Sequence, residues 1–123
     1  MEIDFAKLWE SEKTIKNNQQ RFWDGRAEEF NSGLSEDRTI KETEKVLNYL
    51  GEKDALEKDG SVLDIGCGPG KYTMAFAKKV KTVTGTDISS KMIALAKKNA
   101  ENRGLNNIRF VQGSWAETDL LAM

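Results

Sequence analysis

Three glycines spaced two residues apart are the feature of this sequence best suited to chemistry. Gly66, Gly68 and Gly70 follow the short apolar run SVLDI, which carries Asp64, and they precede the helix-like run KYTMAFAKKV. A turn between a strand and a helix needs at most one glycine, whereas several let the backbone approach a ligand without interference from a Cβ atom. The free N–H groups at the start of the following helix favour anionic or electron-rich ligand atoms. The spacing therefore predicts a ligand-binding loop.

The residues of this loop are expected to serve different purposes. Gly66 and Gly68 let the backbone turn tightly against a ligand, and Gly70 lets the next helix pack closely on the sheet. Asp64 either orders the loop or accepts hydrogen bonds from a cationic ligand. Cys67 is expected to contribute backbone geometry alone.

A second acidic residue lies where a nucleotide-containing cofactor needs one. Asp87 ends the run VTGTD, 21 positions after Gly66. In α/β cofactor-binding folds, an acid about 20 residues after the glycines binds the ribose hydroxyls. The dinucleotide fingerprint G-x-G-x-x-G requires glycine at position 71, where this chain has Lys71, so the spacing disfavours an NAD-type cofactor. The alternative is an ordinary turn, with Asp87 only capping the next helix.

Strands and helices alternate from residue 61 onward and would position these residues. The predicted strands are SVLDI, KTVTGTDI and NIRFVQG, and the predicted helices are KYTMAFAKKV and SSKMIALAKKNAENRG. Ser89 is expected to cap the second of these helices and Gly104 to end it. Short connections between alternating elements imply parallel pairing. The sequence therefore predicts an α/β fold containing the first three strands of a Rossmann-like, doubly wound parallel sheet.

The first 60 residues are predicted to form a helical segment in front of the α/β part, which would occupy residues 61–123. Apolar residues at helical spacing divide the segment into three helices, the third starting at Ser35 and stopping at Gly51. The predicted inward faces are Phe5, Leu8, Trp9 and Ile15; Trp23, Ala27 and Phe30; and Ile40, Leu47 and Leu50.

The runs VLDIGCGPG, VTGTDISSKMIALAKKNA and NIRFVQGS together resemble the first half of a class I S-adenosylmethionine-dependent methyltransferase. The resemblance implies S-adenosylmethionine as the methyl donor and S-adenosylhomocysteine as the product. It places the amino-acid part of the cofactor along the glycine loop and both ribose hydroxyls on the acid that ends the second strand. By position, the implied cofactor-binding residues are Asp64, Gly66, Cys67, Gly68, Gly70, Asp87, Ile88, Met92, Ser114 and Trp115.

One position departs from the family pattern. Many members have an acid after the glycine that ends the third strand, where it contacts the adenine amino group. This chain has Ser114 there, which accepts a hydrogen bond less strongly, followed by Trp115. Trp115 either stacks on the adenine or packs into the core. Ile88 and Met92 match positions that often flank the adenine.

The segment RFWDGRAEEFN resembles segments that precede the core in small-molecule methyltransferases and fold over the cofactor as a lid. Trp23, Arg26 and Phe30 are the candidate lid residues. The alternative is that the aromatic residues form a buried helix face.

Charge and composition narrow the expected partners and location. Nineteen basic and 20 acidic residues give a formal net charge of −1, so we expect a small-molecule methyl acceptor and neither nucleic acid nor membrane as a partner. The chain has no histidine and one cysteine, so we expect no metal site and no intrachain disulfide. It has neither a signal-peptide pattern nor an apolar run of about 20 residues, so we expect a cytoplasmic protein.

A doubly wound sheet has its first strand in the middle, so three strands alone would leave strand 61–65 with a bare edge. Such an edge invites pairing with another chain, and we expect either a longer natural protein or self-association through it. No residue is a convincing catalytic base, and the chain is expected to be inactive alone. Two other functions stay open, which are an NAD-type oxidoreductase and a non-catalytic α/β interaction module.

Overall fold

Helices occupy the first half of the chain and a parallel sheet the second, in the computed structural model, which describes residues 5–34 and 36–114. The first three helices are α1 (Phe5–Asp24), α2 (Ala27–Ser32) and α3 (Glu36–Glu52). The remaining elements are β1 (Ser61–Ile65), α4 (Lys71–Ala77), β2 (Thr82–Asp87), α5 (Ser90–Asn102) and β3 (Ile108–Gln112). A helix long and apolar enough to cross a membrane is not found among the described residues.

The three strands pair in the order β1-β2-β3, and both pairs are parallel. This arrangement confirms the Rossmann-like α/β fold preceded by N-terminal helices. Parallel pairing brings the carboxyl ends of all three strands to one edge of the sheet. The glycine loop, the end of β2 and the end of β3 therefore meet there.

The core lies between the sheet and its two crossover helices. Both α4 and α5 pack on the strands, while α1 and α2 pack against α5 and α3 packs against α4. Val83 in the central strand is 1% exposed and lies with Ala77 and Val80 in a buried apolar cluster. The partly buried residues around this cluster are Leu56, Val62, Phe76, Leu105 and Ile108. This packing fixes the helix that follows the glycine loop.

The inward face of α3 differs from the predicted one. Leu47 is buried as predicted, but Ile40 is 39% exposed, and Thr39 and Thr43 are the buried residues at four-residue spacing before Leu47. The Thr43 hydroxyl donates to the Thr39 carbonyl at 2.7 Å, so this buried polar group is satisfied. The predicted face was therefore wrong at Ile40, because apolar spacing does not reveal a buried threonine such as Thr43, whose hydroxyl bonds to its own helix.

Other predictions for the N-terminal helices have mixed outcomes. Ile15 is 59% exposed, so its predicted burial was wrong. Helix α3 ends at Glu52, one residue beyond the predicted stop at Gly51. Ser35 and the side chains of Phe5, Leu8 and Trp9 lie outside the described residues. The division of the chain at residue 60 stays a prediction.

Candidate functional site

A cavity of about 830 Å³ lies at the carboxyl ends of the strands, within the size range of small-molecule and cofactor sites. One wall consists of the glycine loop and the ends of β2 and β3, and the other consists of residues of α1, α2 and α3 together with the connection between α2 and α3. The predicted site residues that line it are Gly66, Cys67, Gly68, Asp87, Ile88, Met92 and Ser114. Asp64 and Gly70 are not among the residues that line the cavity, and Trp115 lies outside the described residues.

The glycine loop leaves open space at its first glycine and packs tightly at its last. Gly66 has a φ of +72°, and a Cβ added there would meet nothing within 4 Å. Gly70 has a φ of +95°, and a Cβ there would come within 3.4 Å of the Ala96 Cβ on α5. Gly66 therefore leaves room for a ligand, and Gly70 allows close packing of two helices.

Asp87 is held rigidly at the cavity by two backbone N–H groups. Its Oδ2 accepts from the Gly68 amide and its Oδ1 accepts from the Ser89 amide, both at 2.9 Å. An ionised carboxylate has about four lone-pair sites, so each oxygen keeps capacity for one more donor. The side chain is thus oriented to accept two hydrogen bonds from a ligand that carries neighbouring hydroxyl groups.

Asp64 lies behind the loop, where the Thr73 hydroxyl on α4 donates to its Oδ2 at 2.7 Å. Burial raises the pKa of this carboxyl above its ordinary value of 3.8, and the negative charge of Asp87 raises it further, while the Thr73 hydrogen bond opposes both. Of the two roles that the sequence left open, this contact matches the ordering of the loop and the first turns of α4.

The Cys67 thiol is not suited to nucleophilic chemistry. The residue is 8% exposed, and burial, followed by the charges of Asp64 and Asp87, raises the pKa of its thiol to about 12. A thiol with that pKa stays protonated at neutral pH, and the thiolate is the reactive form. The Cβ atom of Cys67 lies 3.2 Å from the position of a Cβ on Gly85, so this residue has a packing role below the loop.

The opposite wall contains two of the three candidate lid residues. Trp23 and Phe30 line the cavity with their rings edge to face, at 5.8 Å between centroids. They are 37% and 48% exposed, so they do not form a buried helix face. Arg26 is absent from the described lining, and its guanidinium lies 4.3 Å from the ring centroid of Phe22.

An ion pair that joins the two walls of the cavity was not predicted from the sequence. Lys71 lines the cavity and pairs with Glu42 on α3, which also accepts from Arg38. These hydrogen bonds, with Lys71 first, lower the pKa of the Glu42 carboxyl from its usual value. Lys71 and Glu42 are 29 positions apart, so no local pattern signals the contact.

Polar contacts also hold α1 and α2 against α5. The Asp24 Oδ1 accepts from the Ser89 hydroxyl at 2.5 Å and from the Lys91 amide at 3.2 Å. The Asn99 side-chain amide donates to Asn31 Oδ1 at 2.8 Å and to the Pro69 carbonyl at 2.9 Å. Helix α1 is therefore bonded directly to the segment that follows Asp87, and α2 is linked to the glycine loop through Asn99 of α5.

Comparison with known proteins gives a family match over more than half of the chain. Residues 56–122 match the model of a family described as a methyltransferase domain. A 23S rRNA (uracil(1939)-C(5))-methyltransferase from Aliivibrio fischeri is 40% identical over 74 residues, which are 60% of this chain and 16% of that protein. A tRNA/tmRNA (uracil-C(5))-methyltransferase from Stutzerimonas stutzeri is 39% identical over 75 residues, 60% of this chain and 20% of that protein. This chain spans a fifth or less of the length of these two relatives.

A solved structure agrees with the fold. A putative S-adenosyl-L-methionine-dependent methyltransferase from Methanococcus maripaludis superimposes with a TM-score of 0.59 at 28% identity, over 74% of this chain and 42% of that one.

The expectation of a small-molecule acceptor without nucleic acid was wrong. The two curated relatives are named for methylation of ribosomal and transfer RNA. The expectation rested on a net charge of −1. That sum describes the whole chain, so it does not report the charge of an individual surface, and it carries no information on parts of a protein outside this sequence.

Proposed function

Because this chain belongs to the methyltransferase domain family, we propose that it binds S-adenosylmethionine and functions in methyl transfer from that cofactor. The observation that carries the proposal is the Asp87 carboxylate, fixed by the Gly68 and Ser89 amides beside an open glycine loop. A ribose presents two neighbouring hydroxyls, which match the two oxygens of this carboxylate.

The rest of the cavity fits the remaining parts of the cofactor. The amino-acid part lies along Gly66 and Gly68; a Cβ would meet nothing within 4 Å at Gly66 and only the Met92 sulfur, at 4.0 Å, at Gly68. The adenine lies among Ile88, Met92 and Ser114, which line the cavity beyond Asp87. The two aromatic rings of the opposite wall cover the cofactor from the other side.

When bound, the cofactor supplies a methyl group on a positively charged sulfur. The acceptor's lone pair forms the new bond to this carbon as the carbon–sulfur bond breaks, and the bonding electrons stay on sulfur as the thioether S-adenosylhomocysteine. The residues described here contribute by binding and orientation, which lower the barrier by holding the reacting atoms close and in line. None of them is assigned as a general base.

RNA is the acceptor class that we propose, and the names of the relatives support it. Because this chain spans a fifth or less of the two RNA methyltransferases, the test incubates a protein that contains it, rather than this chain alone, with cofactor labelled in its methyl group and unmodified ribosomal and transfer RNA transcripts. We expect the labelled methyl group to be incorporated into the RNA, and ribonuclease digestion should release it. Label that appears only in added protein or amine acceptors would contradict it.

Calorimetric titration with S-adenosylhomocysteine tests cofactor binding directly, with NAD in a parallel cell. We expect one site per chain for S-adenosylhomocysteine and no heat with NAD. Binding of NAD alone would support the oxidoreductase alternative instead. Heat with neither ligand would contradict the cofactor site.

Replacing Asp64 by asparagine is expected to stabilise the free protein while weakening binding. Because burial raises the folded-state pKa of Asp64, its contribution to stability is present below the unfolded value of 3.8 and is lost as pH rises through the folded-state pKa. The variant should therefore unfold at higher urea concentration than the unaltered protein at pH 7, with the difference narrowing towards pH 4.

The same variant should bind S-adenosylhomocysteine roughly tenfold more weakly, a change of about 1.4 kcal/mol, because it removes a negative charge that attracts the ligand's ammonium group from behind the loop, without direct contact. Asparagine keeps an oxygen for the Thr73 hydroxyl, so the loop itself should hold. A variant that is less stable at pH 7 would contradict the assigned effect of burial.

A further inference from the structure

We propose that Asp24 is a positioning residue for the cofactor site, and that it acts through Ser89 to hold the carboxylate of Asp87 in its binding orientation. The inference rests on the proposed function, since it assigns Asp87 to the ribose. It gives the last residue of α1 a specific part in cofactor affinity, rather than a general part in covering the cavity.

The first step is the contact between α1 and the segment that follows β2. Asp24 Oδ1 accepts from the Ser89 hydroxyl and from the Lys91 amide, 65 and 67 positions away. Two donors on one carboxylate oxygen fix its position relative to the start of α5. A carboxylate acceptor makes both bonds charge-assisted, which are stronger than neutral ones.

The second step is the geometry of Ser89, which is fully buried. Its hydroxyl oxygen accepts from the Met92 amide at 3.1 Å, as the N-cap of α5. A serine hydroxyl has one hydrogen, and this hydrogen is given to Asp24. Removing the Asp24 side chain would leave a buried donor without its partner, so the hydroxyl would have to turn and its cap bond would be disturbed.

The third step connects Ser89 to the binding residue. The Ser89 backbone amide donates to Asp87 Oδ1 at 2.9 Å. The path from Asp24 to Asp87 therefore consists of two hydrogen bonds through one buried residue. Any shift of the Ser89 backbone changes the direction in which the Asp87 oxygens point into the cavity.

Two other polar contacts of the N-terminal helices do not follow this path. Asn31 bonds to the Asn99 side chain on α5, and Glu42 pairs with Lys71 on α4. Neither partner bonds to Asp87 or to its neighbours along the chain. Asn31 supplies a matched control, since its replacement removes a contact between the same two helical layers and leaves the bond from Asn99 to the Pro69 carbonyl of the glycine loop in place.

The test compares S-adenosylhomocysteine with its 2′-deoxy analogue, which lacks one of the hydroxyls assigned to Asp87. Asp24→Ala should raise the Kd of S-adenosylhomocysteine about tenfold and that of the deoxy analogue by threefold or less. Asp24→Asn keeps an acceptor for Ser89 and Lys91 and should recover most of the affinity. Asn31→Ala should change neither Kd by more than about twofold.

A second variant distinguishes the loss of this hydrogen bond from a general loss of structure. Ser89→Ala removes the hydrogen bond to Asp24 by deleting its donor, whereas Asp24→Ala deletes its acceptor. The Kd of the double variant should therefore be no higher than that of whichever single variant has the higher Kd. Equal losses for both ligands, or a change below twofold in Asp24→Ala, would overturn the inference while leaving the cofactor site intact. Failure of the unaltered protein to bind S-adenosylhomocysteine would overturn the proposed function, and the inference with it.

Discussion

Replacing Asp87 by alanine is expected to lower the affinity for S-adenosylhomocysteine at least 100-fold. The carboxylate is assigned two hydrogen bonds from the ribose, and hydrogen bonds to charged groups contribute about 1.5–3 kcal/mol each. Since each tenfold change in affinity corresponds to about 1.4 kcal/mol, two such bonds account for a loss of two decades or more. The Gly68 and Ser89 amides also lose their acceptor, which loosens the loop on both sides of the ligand. Calorimetric titration measures the change.

Two further variants make this result specific. Asp87→Asn keeps the size of the side chain but turns one amide donor towards a backbone N–H group, so it should bind nearly as poorly as the alanine variant. Asp59→Ala removes an exposed carboxylate at the other end of β1 and should leave the Kd unchanged. A loss smaller than fivefold in Asp87→Ala would show that the ribose is not bound by this residue.

Replacing Gly85 by valine is expected to destabilise the protein by about 1–3 kcal/mol, the usual cost of overpacking a core. Gly85 is in the central strand, and a Cβ there would come within 3.1 Å of the Phe110 ring and 3.2 Å of the Cys67 Cβ. The two γ-carbons of valine would add to this crowding. Relief requires either the ring or the glycine loop to move, so we also expect weaker binding of S-adenosylhomocysteine. Urea denaturation measures the stability change.

Thr82→Val on the same strand is the matched control, since Thr82 is exposed and is likewise replaced by valine. Its unfolding free energy should stay within about 0.5 kcal/mol of the unaltered value, as is usual for surface positions. If Gly85→Val were as stable as this control and bound the ligand normally, the space beneath the loop would not depend on glycine.

The features that were predictable from sequence are those encoded by local patterns. Short apolar runs separated by turn residues placed the three strands, and the serine before α5 caps it as expected, accepting from the Met92 amide. The glycine loop was recognisable because its spacing combines with an acid at the end of the next strand. Both signals arise within about 25 residues, where sequence spacing determines spatial distance.

The features that were missed depend on contacts between distant segments. Asp24 meets Ser89 across 65 positions, and Lys71 meets Glu42 across 29, so neither pair has a signature in its own neighbourhood. Ile40 was wrongly placed on the inward face of α3 because hydrophobicity alone does not reveal a buried threonine whose hydroxyl bonds to its own helix. The acceptor class was misjudged because total charge averages over all surfaces.

The central claim is that the glycine loop and Asp87 together bind the cofactor, and backbone amide NMR of the labelled protein tests it most directly. Titration with S-adenosylhomocysteine should shift the amide signals of residues 66–70 and 87–89 most strongly. It should leave those around the second cavity, which is lined by Leu47, Leu56 and Lys78, nearly unchanged. Shifts centred on that second cavity, or no shifts at saturating ligand, would contradict the account.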